Sequence, residues 1–164
     1  MSLHNLNKVY HDQLQDLYSA CKLSLDATRE LSQVASHKGL RTVLIAGAKR
    51  LFEGMEKLET ICGKHHIDPD GADCRGMRAL VKEVYAQVLN AEFSDDAIRD
   101  TMIITQYQRM VHYTLAGYGC IVAFANRLEL EKDAQMLKTQ LTAIHEGSRQ
   151  MSEIATGYLN QRAA

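Results

Sequence analysis

Between Ser94 and Leu128 the chain has no proline, and a small or apolar residue recurs every three or four positions. These are Ile104, Tyr107, Val111, Thr114, Tyr118, Ile121, Ala125 and Leu128. That spacing lines one side of a helix. Ser94 or Asp95 is placed to cap its start, and Asp95 and Asp96 sit where the helix dipole favours negative charge. At 1.5 Å per residue the rod would be about 50 Å long. A small globular domain accommodates such a rod only if others lie beside it.

The rest of the sequence supplies them. There is one proline, Pro69, and no tryptophan, so little breaks a helix elsewhere. A first helix is expected from about Leu3 to Ala35, striped by Leu6, Tyr10, Leu14, Leu17, Cys21, Leu25, Thr28, Leu31 and Ala35. Gly39 reads as the stop in a short turn. A second helix follows over Leu40–Cys62, with stripe Leu40, Leu44, Gly47, Leu51, Met55, Leu58 and Cys62, and Gly63 ends it. The turn cluster His65–Gly71 then leads to a shorter helix, Cys74 to about Asn90, with Asp73 as the expected N-cap. After the long helix and a turn at Glu129–Lys132, a last helix carries Ala134, Leu137, Leu141, Ile144, Ser148, Met151, Ala155 and Tyr158. Short turns make antiparallel neighbours. The expected fold is therefore all-α: two antiparallel helical hairpins joined by a crossover with one short helix. This is the connectivity of a ferritin-like four-helix bundle, in one domain over residues 1–164.

Composition narrows the partners. Hydrophobic residues make up 46% and the net charge is −1, with no basic stripe for nucleic acid and no apolar run long enough for a membrane helix. The polar start Met1-Ser2-Leu3-His4-Asn5 does not read as a signal peptide. A cytoplasmic location is expected, with Cys21, Cys62, Cys74 and Cys120 reduced.

Several pieces together resemble a known family. They are Tyr18-Ser19-Ala20 with Lys22, Glu56-Lys57-Leu58, Cys74 with Met77 and Leu80, Arg99-Asp100, His112-Tyr113, Tyr118-Gly119 and Glu153-Ile154-Ala155. In order and spacing they resemble the bacterial YciE/YciF family. The resemblance implies a ferritin-like bundle with an extra helix, a homodimer, an association with stress responses and a carboxylate-rich metal site.

The metal site is where this chain departs. Di-metal bundles use inward glutamates and glutamate–histidine pairs three apart. The residues three before the seven histidines are Met1, Lys8, Val34, Cys62, Gly63, Arg109 and Thr142, so no such pair exists. The mid-bundle layer read from the stripes is Cys21, Gly47, Leu51, Val111, Thr114, Ile144 and Ser148, without a carboxylate or histidine. The resemblance places the family's ligand positions at Cys21, Gly47, Lys49, Arg50, Val111, Thr114, Ala143 and Ile144. A buried dication lacks the anionic ligands it needs there. No metal, cofactor or catalytic residue is assigned.

The remaining candidates have ordinary readings. His112 reads as a hydrogen-bonded histidine beside the core. Cys21 reads as a small buried hydrophobe, and Lys49 and Arg50 as solvated flank residues. Cys62, His65, His66 and Cys74, with Asp68, Asp70 and Asp73 nearby, could form a surface zinc cluster. Their spacing matches no established zinc motif. Cys62 and Cys74 are expected to react with thiol reagents first, and Cys21 and Cys120 slowly. The short crossover helix is the expected dimer interface. The sequence thus reads as a non-enzymatic ferritin-like protein with a lost di-metal site and no identified small-molecule ligand. The alternatives are a metal-binding protein with a displaced site and a cysteine-based redox protein.

Overall fold

The computed structural model describes residues 5–162, with side chains through residue 157. The helices are α1 (Leu6–Val34), α2 (Lys38–Lys64), α3 (Arg75–Val84, continued by a π turn over Tyr85–Leu89), α4 (Asp96–Arg127) and α5 (Glu131–Arg162), and no strand occurs among the described residues. The expected start at Leu3 and the Tyr158 side chain lie outside what is described.

Helices α1 and α2 form one hairpin and α4 and α5 the other. Around the bundle the order is α1, α2, α5, α4. Helix α3 packs on the seam between α1 and α4. It begins beside Ser19, where Cys74 N–H donates to Ser19 Oγ (3.0 Å), and rises until Tyr85 meets Glu30. The crossover thus carries the chain from one end of the bundle to the other, so α2 and α4 run the same way. This is the ferritin-like connectivity that the stripes predict.

The caps explain the boundaries. Asn5 accepts from Lys8 N (3.0 Å) to start α1, and Asp95 accepts from Ala97 N and Ile98 N (2.8 and 2.9 Å) to start α4. Three boundary expectations are corrected. Gly39 does not stop α1; it lies in the first turn of α2, where the His37 side chain accepts from Leu40 N. Gly63 lies inside α2, and the left-handed residue beyond that helix is His66, φ 56°. Asp73 does not cap α3 either. It pairs with Arg78, and the capping position is Cys74, whose side chain makes no capping bond.

The core has two halves. The lower half is built from Tyr10, Leu14, Tyr18, Leu58, Ile61, Tyr118, Ile121 and Leu137. The upper half contains Leu31, Leu40, Leu44, Met77, Val84, Ile103, Met110 and Met151, and Val111 packs against both. Each fully buried leucine is worth ~1.5–3 kcal/mol, so the two halves contribute much of what holds the rods together. Between them the buried residues are polar: Ser24, Thr28 and Thr114.

Candidate functional site

Where the two halves meet, the four long helices line a small, part-open cavity of about 20 Å³. Helix α1 contributes Ser24 and Thr28, and α2 contributes Gly47, Arg50 and Leu51. Helix α4 gives Tyr107, Met110, Val111 and Thr114, and α5 gives Ile144. Two glycines on facing helices make room for the polar groups. A Cβ at Gly47 would collide with the Tyr107 hydroxyl, and one at Gly147 with the Arg50 guanidinium.

Arg50 is therefore not the solvated flank residue expected from sequence. Its guanidinium turns inward past Gly147, and Nη2 is buried with no hydrogen-bond partner. The backbone holds it in register, because the fully buried Gln140 donates through Nε2 to Arg50 O (2.6 Å) and accepts from Lys57 Nζ (2.6 Å). Burial pushes the Tyr107 hydroxyl pKa up, and the neighbouring guanidinium offsets part of that rise. Thr28 Oγ1 is also buried without a partner. Ser24 and Thr114 spend their protons on the backbone, Ser24 on Ala20 O (2.8 Å) and Thr114 on Met110 O (3.0 Å).

Of the mid-layer read from the stripes, Gly47, Leu51, Val111, Thr114 and Ile144 line this cavity. Ser148 lies beside it, donating to Gln108 Oε1 (3.1 Å). Cys21 belongs to the lower core half, against Tyr118. Lys49 points out to Glu53, and Ala143 is half-buried. His112 does hydrogen-bond, to Gln108 O (2.8 Å), but it is exposed rather than beside the core.

The surface cluster of cysteines and histidines does not assemble. Cys62 is buried in the lower core half, while Cys74 lies in the upper one, its Sγ 3.3 Å from Asp16 Oδ2 and 3.2 Å from Tyr113 Oη. His65 instead pairs with Asp133 at 2.7 Å, and His66 is the left-handed turn residue. Among the described residues, no three histidine, cysteine, aspartate or glutamate side chains are grouped to hold a metal ion. The order of thiol exposure is also corrected. Cys21, Cys62 and Cys74 are buried and Cys120 is exposed, all four as free thiols. Burial pushes the Cys21 thiol up to about 12 and Cys62 to about 11. Such thiols are poor sources of thiolate.

Comparison with known proteins places this site in a family context. The family described as "Domain of unknown function (DUF892)" matches residues 5–164. The chain belongs to this family. Escherichia coli protein YciF is 23% identical to it over 164 residues, covering 99% of this chain and 98% of that protein. The crystal structure of the E. coli stress protein YciF superposes with a TM-score of 0.89, at 23% identity, covering 96% of this chain and 99% of that one. YcfI of Rhodopseudomonas palustris, described as a putative structural protein, gives a TM-score of 0.86 at 21% identity, covering 92% and 95% of the two chains. The membership agrees with the YciE/YciF resemblance read from the sequence.

Proposed function

We propose that this member of the family is a non-catalytic ferritin-like bundle of the cytoplasm, active as a homodimer in a stress response, whose di-metal site has been lost. The observation that carries this reading is the inward Arg50 guanidinium. A metal centre there would face a fixed positive charge, hydroxyls and aliphatic groups, with no carboxylate or histidine lining the cavity. Like charges at close range repel strongly in a buried setting, and a dication needs several anionic oxygen ligands. These residues do not fit a di-metal site.

The stress role is supported by the likeness to YciF, which is described as a stress protein. A structural role is supported by the description of the R. palustris relative. No described helix is long and apolar enough to cross a membrane. For the dimer, the outer face of α3 is a poor interface, because Arg75, Arg78, Lys82 and Glu83 are exposed along it. Ile45 and Phe52, two turns apart on α2, are 57% and 48% exposed, and they form the apolar face we assign to the partner copy. Metal analysis of protein purified from iron-rich medium without chelators tests the central part of this reading. Substoichiometric metal is expected, and two tightly held iron or manganese ions per chain would overturn it.

A further inference from the structure

We propose that the central cavity is a binding site for a small monovalent anion of chloride size, held by Arg50 and Thr28. The inference rests on the reading above that no metal occupies the bundle centre.

Arg50 is half-buried, with Nη2 covered; a guanidinium keeps its proton there, and charge taken out of water is costly unless it is paired. No carboxylate lines the cavity with Arg50. The Glu146 carboxyl pKa is lowered first by its bond to Arg149 (2.7 Å) and only last by Arg50, and that side chain is 49% exposed. Solvent and salt screen that interaction. Among the described residues the charge therefore lacks a close counter-ion.

Arg50 meets the Tyr107 hydroxyl, yet two unpartnered polar atoms remain on residues that line the cavity. Arg50 Nη2 and Thr28 Oγ1 both lack partners, Thr28 is 1% exposed, and both residues line the cavity. Ser24 and Thr114 are already committed to backbone carbonyls. A water could accept from the guanidinium, but it would leave the positive charge uncompensated. The volume fits one particle of water or halide size. A monatomic anion satisfies the charge, the donors and the size together.

Thermal unfolding followed by circular dichroism tests this, with sodium chloride or bromide replacing sodium gluconate at constant ionic strength. A ligand that binds only the native state raises the midpoint with its concentration. The expected result is a saturable rise of several degrees, absent in Arg50→Met and reduced in Thr28→Val. The near-isosteric Thr28→Val keeps the test decisive if Arg50→Met does not fold. Crystals soaked in bromide are expected to show an anomalous peak in the cavity. Equal midpoints in halide and gluconate, the same halide response in Arg50→Met, or water alone in the soaked crystal would overturn the proposal. Water alone would leave the functional reading standing, whereas metal in the cavity would sink both.

Discussion

Each end of the bundle is tied by one buried aspartate near the start of a long helix, and the two ties use different chemistry. At the upper end Asp100 of α4 accepts from Ser36 N (2.9 Å), Ser36 Oγ (2.6 Å) and His37 N (2.8 Å), which clamps α4 to the α1–α2 turn. At the lower end Asp133 of α5 meets Tyr10 Oη (3.3 Å), Lys64 Nζ (3.2 Å) and His65 Nε2 (2.7 Å), which joins α5 to α1 and α2. Both carboxylates gain from the positive end of a helix dipole. The upper partners are two backbone amides and a hydroxyl, which keep their protons across the physiological range. The lower partners are ionisable side chains, and the ring of one of them, His65, packs against His11. The upper end is thus a fixed clamp and the lower end a pH-responsive one.

Removing the upper clamp should have the larger effect. Asp100 is fully buried, and Asp100→Ala removes its three hydrogen bonds from the part-buried amides and hydroxyl of the Ser36–His37 turn; a hydrogen bond to a charged group is worth about 1.5–3 kcal/mol. Urea unfolding should show a loss of about 3–5 kcal/mol, with Asp100→Asn losing less because it keeps one acceptor. Asp133→Ala should lose only about 1–3 kcal/mol, since Lys64 is 42% exposed at its side chain and can turn to water. Equal losses at the two ends would break the comparison.

The pH response should come from the lower end. The His11 and His65 rings pack at a tilt, 5.0 Å between centroids and 51° between planes. Burial first, and then the charge of His65, hold the His11 pKa below its ordinary value of 6.5. The neutral form is then favoured in the fold, while the unfolded chain takes up its proton at higher pH. The stability from this group is fully present above about pH 6.5 and is lost as pH falls through that value towards the lower folded one. The midpoint of thermal unfolding should fall between pH 7 and pH 5, and His11→Gln should flatten the slope. If Asp100→Asn flattened the slope by as much, the upper end would be the sensitive one.

The smallest effect concerns the thiols and leaves stability unchanged. Native labelling should modify Cys120 first, on the outer side of α4, and reach Cys21, Cys62 and Cys74 only as the core opens. Fast labelling of Cys74 would show that its shelter beside Ser19 and Asp16 is open.

What the sequence made legible follows the same division between repetition and particular contacts. The long helices could be read because their stripes repeat over many turns, and proline is nearly absent. The mid-layer was legible for the same reason, down to Gly47, Val111, Thr114 and Ile144. Arg50 was not, because an arginine beside a lysine reads as surface. The signal that could have found it is the pair of glycines, Gly47 and Gly147, opposed across α2, α4 and α5. Cys74 was misplaced because its burial depends on a long-range bond to Ser19, which no periodicity encodes. Cys120 was misplaced for a simpler reason. It falls between the core positions Tyr118 and Ile121 but on the side of α4 that faces solvent, and its own phase on the helix said so.

The polar centre separates these two ends, and the account stands on what that centre holds. The most direct test is a crystal structure of protein incubated anaerobically with excess ferrous iron, with anomalous data collected at the iron edge. No iron peak is expected among Gly47, Tyr107, Thr114 and Ile144, with the Arg50 guanidinium still turned inward. Two iron atoms bridged between the four long helices, with Arg50 displaced to solvent, would contradict it.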